Sequence, residues 1–180
     1  MNLFILDDDL IKNAEYHVDK HVVKMILEAA QLLCSAHWVT QAIGFTPRKV
    51  TPAETAVCKD SVTPDFYKLT HPNHPCAIWV RSSLDNFIWT YCYAAELNSE
   101  YGFRYGKSHK SMEVINRLSE PTLPKLGLTP FAQAMPDEYK HENAVTAYRR
   151  YYAAEKSQLF AWKNRDRPDW LPSEGIQISS

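Results

Sequence analysis

The chain has 180 residues, 45% of them hydrophobic and 12% aromatic, with 20 Lys and Arg against 21 Asp and Glu and a formal charge of −1. This length and composition describe one globular domain with a real core and exclude extended disorder. The charge balance excludes a global basic footprint for nucleic acid, so any basic surface must be local.

Residues 2–6, NLFIL, read as a short buried strand or an extended arm, and Asp7 to Asp9 suit the cap of a following helix. The first long helix is predicted over 13–38. In it His17, Lys20, His21, Lys24, Glu28 and Gln31 recur at spacings of three and four, which puts them in one polar stripe. Val22, Val23, Met25, Ile26, Leu27, Ala29, Ala30, Leu32 and Leu33 cover the rest of the cylinder, so the helix should be buried and its stripe should face a narrow seam or a polar cavity. Residues 40–70 contain Gly44, Pro47, Pro52 and Pro64 and read as a surface excursion, with one short helix at the capping box Thr51-Pro52-Ala53-Glu54.

His71-Pro72-Asn73-His74-Pro75 leads into a second long helix near Pro75, with Val80, Leu84, Phe87, Tyr91 and Ala94 on its core face and Gly102 as its stop. A shorter helix follows from Ser108 through Met112, Ile115 and Leu118. Residues 120–139 hold four prolines and read as a loop whose Phe131, Ala132 and Met135 pack inward. A last helix is predicted over 142–161, and Trp162 and Trp170 dock the tail that follows. The expected fold is mainly α, a single compact helical domain over 1–173 with about four to five helices and long proline-containing loops, and a frayed tail over 174–180.

Two imidazoles, two amines and a carboxylate in a part-buried stripe are the makings of an acid/base or Schiff-base site, because burial and neighbouring charge move pKa values toward neutrality. The competing account is a solvated face with intrahelical pairs such as Lys24 with Glu28. His17 and His21 stand at i and i+4, within reach of one metal ion, but the flanking lysines repel a cation. Neither a metal nor a cofactor is expected. Arg81 reads either as a surface partner of Asp85 or as a clamp for phosphate or carboxylate. The segment 101–110 interleaves aromatics with Arg104, Lys107 and Lys110 and includes Tyr105 and His109; it suits nucleic-acid or nucleotide contact, or is an ordinary exposed turn. Arg149, in Tyr148-Arg149-Arg150-Tyr151-Tyr152, repeats the pairing of ring and guanidinium. Cys34, Cys58, Cys76 and Cys92 form no CxxC pair and read as free thiols of a reducing compartment. The start lacks the regions of a secretory signal, and no stretch reads as long enough to span a bilayer. The chain is therefore expected to be cytoplasmic, with no membrane partner.

The run YHVDKHVVKM at 16–25 with Glu28, Gln31 and His37, HPNHP at 71–75 with Trp79 and Arg81, RYGKSH at 104–109, PFAQAMP at 130–136 and YRRYY at 148–152 resemble a family of short phage and prokaryotic proteins. Some of these are labelled pyrimidine-dimer DNA glycosylases of the endonuclease V type. The resemblance implies a small all-α enzyme that excises a damaged base and cuts the abasic strand through a Schiff base formed by the α-amine of a threonine freed by methionine removal, assisted by a glutamate. Asn2 departs from that pattern: it is bulky enough that Met1 is expected to stay. The amine then falls to Lys24 or Lys20, with Glu28 or Asp19 as the assisting carboxylate and His17 and His21 beside them. His71, His74, Trp79, Arg81, Arg104, Tyr105, Lys107, His109 and Arg149 are the expected substrate contacts, with Trp79 or Tyr105 stacking on a flipped base. The expected activity is a DNA glycosylase, with or without AP-lyase activity, acting on a damaged or modified pyrimidine. The alternatives are a hydrolase of a modified nucleotide, with or without a metal, and a non-catalytic phage accessory protein that sequesters a nucleotide or binds a host factor.

Overall fold

The structure, a computed structural model, describes residues 1–61 and 63–172, and the tail expected to fray lies outside them. Asp9 caps the first helix, α1 (Leu10–Tyr16), accepting from the backbone N–H groups of Ile11 at 2.9 Å and Lys12 at 3.0 Å. The helix does not run on to residue 38. His17 and Val18 turn extended, and α2 (Asp19–Ile43) starts afresh. Three side chains cause the break. The His17 imidazole turns back onto the Asn13 carbonyl (2.6 Å), the Tyr152 hydroxyl accepts from Val18 N–H (3.0 Å), and Arg104 donates to the carbonyls of Glu15 and His17 at 3.0 and 2.9 Å. Backbone groups orphaned by the break thus find partners in the interior.

Fifteen of the 25 residues of α2 are buried, as its nearly all-round apolar surface requires. By length and composition α2 is apolar enough to cross a bilayer, contrary to the sequence reading, yet 72% of its apolar 18-residue stretch is buried within the fold. The short helix α3 (Pro52–Asp60) carries both halves of the Thr51/Glu54 capping box. The second long helix is also interrupted, giving α4 (Pro75–Val80) and α5 (Leu84–Tyr105). Ser83 caps α5 by accepting from Asp85 N–H, and Gly106, at φ 69° in the left-handed region, ends it four residues beyond the predicted stop. Leu84, Phe87 and Ala94 are buried as expected, but Tyr91, also expected in the core, is 38% exposed, and Tyr93 and Leu97 are buried beside them instead.

The remaining helices, α6 (Ser111–Ile115) and α7 (Ala144–Glu155), are shorter than their sequence patterns, and 3-10 turns at Asp137–Tyr139 and Ser157–Leu159 flank α7. Seven α-helices therefore stand among the described residues where four or five were expected, and no strand does. NLFIL is an extended arm, with Leu3, Phe4, Ile5 and Leu6 buried in the main core against α2, α5 and α7. A smaller cluster of Cys34, Trp38, Val39, Val50, Cys58 and Leu69 closes the far end of α2. The C-terminal arm docks as expected: Trp162 Nε1 donates to the Tyr16 carbonyl (3.0 Å), and Lys163 N–H to the Asp19 carboxylate (2.9 Å).

Arg104, 2% exposed, joins these pieces by adding contacts to Glu100 (2.7 Å) and Asp19 (2.9 Å). Burial pushes the Glu100 carboxyl up, but hydrogen bonds from Arg165 and Arg104 outweigh it and hold the group below its ordinary value. Arg104→Ala strands two carbonyls in the interior and leaves Glu100 with Arg165 alone, so urea denaturation should read a loss of about 3–5 kcal/mol, the range for breaking a buried pair. Arg48→Ala, which breaks an exposed pair with Glu54, should change the same curve little.

Candidate functional site

The stripe of α2 opens onto a cavity of about 200 Å³ lined by Met1, Asn2, Phe4, His21, Lys24, Met25, Glu28, Ala134, Tyr151 and Lys156. Larger hollows of about 490 and 580 Å³ lie by α3 and α7, but their linings hold no carboxylate. The floor of the α2 cavity is Glu28, whose side chain is only 8% exposed. Its Oε2 accepts from Asn2 N–H at 2.7 Å and lies 3.8 Å from the Met1 nitrogen, while Oε1 lies 3.3 Å from Lys24 Nζ. The buried arm sets this geometry. Asn2 is held by its Nδ2 donating to the Ala134 carbonyl (2.9 Å) and its Oδ1 accepting from the Tyr148 hydroxyl (3.0 Å), so the first backbone nitrogens of the chain meet the carboxylate.

The two histidines of α1 and α2 are held in opposite tautomers. Nδ1 of His17 faces the Asn13 carbonyl and must carry the proton, leaving Nε2 to accept from the Tyr93 hydroxyl at 3.1 Å. The Tyr152 hydroxyl accepts from Val18 N–H and is wholly buried, so its own hydrogen needs an acceptor, which His21 Nδ1 supplies at 2.8 Å. The His21 proton therefore sits on Nε2. Burial, reinforced by His17 and the nearby lysines, lowers the His21 pKa to about 3, and burial lowers that of His17 to about 4. His21, stacked on Phe4 at 4.8 Å, thus lines the cavity as a neutral N–H donor rather than a base.

The sequence candidates separate into three groups. Glu28, Lys24 and His21 come together at the cavity. His74 caps α4, and its pKa, lowered first by burial, also responds to the Met1 amine, His71 and Glu28, which places the HPNHP turn in the field of the site. His71 beside it is exposed and left-handed at φ 45°, a backbone state that costs energy outside glycine. The third group is tied up elsewhere. His17 is wholly buried, Lys20 is exposed and not in the lining, and Asp19 is occupied by Arg104 and Lys163.

Arg81 is neither a clamp nor a partner of Asp85. It is fully buried and donates to the carbonyls of Thr46 (2.8 Å), Pro72 (2.5 Å) and Arg48 (2.5 Å), while Asp85 accepts from Gly127 N–H. Trp79 is 6% exposed and packs with Trp89 and Phe131, so it has no free face for a base. Arg149 donates to Leu6 O and Asp7 and lies over Trp170. In the 101–110 segment Arg104 is structural, His109 Nδ1 accepts from Ser111 N–H, Lys107 lies over Tyr101, and Tyr105 lies under Lys163. None of that segment lines the cavity.

Met1, Asn2, Tyr151 and Lys156 line the cavity without being assigned to the site by the sequence, although Asn2 and Tyr151 stand in the NLFIL and YRRYY motifs. Their signal was indirect: an arm as apolar as NLFIL has to be buried, which fixes the chain's first residues against the core. Among the described residues no group of three or more His, Cys, Asp or Glu is placed to hold a metal ion. No family model, no curated protein and no solved structure matches the chain.

Both histidines bind protons more weakly in the folded chain than in the unfolded one, so the unfolded state takes up protons first as pH falls below 6.5. Stability is therefore complete above that value and falls down to about pH 3, by roughly 2 kcal/mol for each ring at pH 5. Imidazole nitrogen shifts at pH 5 should be those of two neutral rings of opposite tautomer; a protonated ring at that pH contradicts the assignment.

Proposed function

We propose that the chain is a DNA glycosylase with AP-lyase activity whose reacting groups are an amine and Glu28 in the α2 cavity. The observation that carries the reading is the convergence of the Met1 nitrogen, Asn2 N–H and Lys24 Nζ on one nearly buried carboxylate. Where Met1 begins the chain, its own α-amine takes the place expected of Lys20, and Lys24 remains the second candidate.

The neutral amine adds to C1′ as the base departs, and Glu28 accepts the amine proton. Passing that proton to the ring oxygen opens the sugar and leaves a protonated imine at C1′. Glu28, again a carboxylate, takes a C2′ proton, and the electrons of that C–H bond expel the 3′ phosphate, which is the lyase step. His21, as a neutral Nε2–H donor, stabilises negative charge developing on the departing base or on a phosphate oxygen. Whichever amine reacts, Lys156 and the other of Met1 and Lys24 stay beside it as cations against one carboxylate, which suits a phosphate-bearing substrate in a protein of net charge −1. A hollow of about 200 Å³ is smaller than the roughly 300–1,000 Å³ of drug-sized pockets, so the unit it receives is of sugar size.

Borohydride added during incubation with damaged duplex should trap a covalent complex, and digestion should place the adduct on the peptide that begins at Met1 or on Lys24. Glu28→Gln should lower trapping and base release about 10²–10⁴-fold, the usual worth of a positioned acid/base group. Trapping that survives in a protein carrying both an acetylated N-terminus and Lys24→Ala would rule out this chemistry. The small cavity and the lack of a global positive charge also favour a second reading, sequestration of a single nucleotide. That reading requires recovery of the nucleotide unchanged and a shallow salt dependence, where duplex binding gives a steep one.

A further inference from the structure

A second polar hollow, of about 320 Å³, lies between the last turns of α2 and the loop after α6, lined by His37, Thr40, Gln41, Ser119, Glu120, Pro121 and Thr122. It lies about 18 Å along α2 from Glu28, twelve residues at 1.5 Å each, and shares no lining residue with the first cavity. Thr40 is only 7% exposed, yet its hydroxyl has no hydrogen-bond partner, and neither does the buried Nδ1 of His37 one turn before it. Among the described residues Asn13 Nδ2 and Trp170 Nε1 are the other two buried side-chain atoms without a partner, and neither lines this hollow. The hydroxyls of Thr55, Ser61, Ser82, Thr90 and Ser99 each donate to the carbonyl four residues back, the usual resource of a helical hydroxyl. A buried polar atom left unpaired costs free energy, so two of them in the lining of one hollow point to a missing partner.

The character of that partner follows from what faces it. Glu120 supplies a carboxylate, Thr40, Ser119 and Thr122 supply hydroxyls, Gln41 a side-chain amide, and no Lys or Arg is in the lining. Burial holds the His37 imidazole below its ordinary pKa, so its ring offers an acceptor nitrogen rather than a charge. The hollow also adjoins the C-terminal end of a 25-residue helix, where the carbonyl dipoles favour positive charge. A single carboxylate among hydroxyls is poor ligation for a divalent metal, and among the described residues no cluster of metal-ligating side chains is present.

We propose that this hollow is a binding site for a primary alkylammonium group, its three N–H donors shared among Glu120, the Thr40 hydroxyl and His37. Such a group arrives either on a free small amine or on the lysine side chain of a peptide; the chemistry recognised is the same.

The test uses the full chain and reads binding, so it is independent of any activity at Glu28. Propylammonium chloride should raise the melting temperature saturably, whereas tetramethylammonium chloride and potassium chloride at equal ionic strength, which offer charge without N–H donors, should not. Nα-acetyl-lysine amide beside its Nε-acetylated form tells the two sources apart: binding of the first alone extends the site to lysyl peptides, and failure of both restricts it to free amines. Thr40→Val puts a methyl where an unpaired hydroxyl stood. It should leave the ligand-free melting temperature unchanged or raised while weakening propylammonium at least tenfold, and Glu120→Gln should weaken it similarly. An equal response to propylammonium and tetramethylammonium, no saturable response, or unchanged affinity in Thr40→Val overturns the proposal. If ordered water is the occupant, Thr40→Val lowers the melting temperature and no amine response is seen, which overturns it too.

Discussion

The Arg104 guanidinium sits where four pieces of chain meet, and with His17 and Tyr152 it satisfies the backbone groups left open where α1 gives way to α2. It takes the carbonyls of Glu15 and His17 at the end of α1, the carboxylate of Asp19 at the start of α2, and Glu100 on its own helix. Glu100 and Asp19 pass the connection to Arg165 and to the Lys163 backbone in the C-terminal arm. A cation this buried is tolerated only because its donors meet acceptors, two of them charged. The consequence is geometric. Arg104 stabilises a chain break at His17 and Val18 that an apolar sequence of this kind would otherwise bridge with continuous helix.

That break decides the chemistry available one turn later. Because Val18 is extended, its N–H is free to bond the Tyr152 hydroxyl, and because that hydroxyl is thereby an acceptor and is wholly buried, its hydrogen is committed to His21 Nδ1. A continuous helix would place Val18 N–H inside the helix ladder and release Tyr152, and with it the His21 tautomer. The protonation state of a cavity residue is thus fixed by a backbone discontinuity three residues away, through one tyrosine. His17 uses the same logic in reverse, with Asn13 and Tyr93 holding the opposite tautomer, which explains how two histidines at i and i+4 end with unlike roles.

Much of the local structure was legible because it depends on neighbours in sequence. Asp9 as a cap, the Thr51/Glu54 capping box, the entry of α4 at Pro75 and the burial of NLFIL all rest on interactions within a few residues or on hydrophobicity alone. The polar stripe of α2 was legible too, and Lys24, Glu28 and His21 do share one cavity. What failed to show were the long-range ties. Arg81 and Arg104 look in sequence like ligand-binding cations beside aromatics, but each is saturated by carbonyls or carboxylates contributed by remote segments. The same ties split both long helices, so periodicity that crosses the breaks overstates their length and misassigns Tyr91 to the core. Nor does any pattern in residues 1–6 disclose that Asn2 hydrogen-bonds a carboxylate 26 positions away.

The departure at Asn2 takes on a different meaning in this setting. Asn2 has a side chain fully used in placing the arm, through Ala134 and Tyr148. A threonine at that position has no amide N–H₂ to give Ala134. The arm would lose the bond that fixes its depth, and the first nitrogens would be less firmly held at Glu28. Residue 2 therefore acts as an anchor, and its own N–H occupies one carboxylate oxygen at 2.7 Å. That hydrogen bond keeps Glu28 oriented toward Met1 on one side and Lys24 on the other. The fold alone therefore holds the carboxylate in one orientation, so a reaction of the proposed kind would begin with that group already placed.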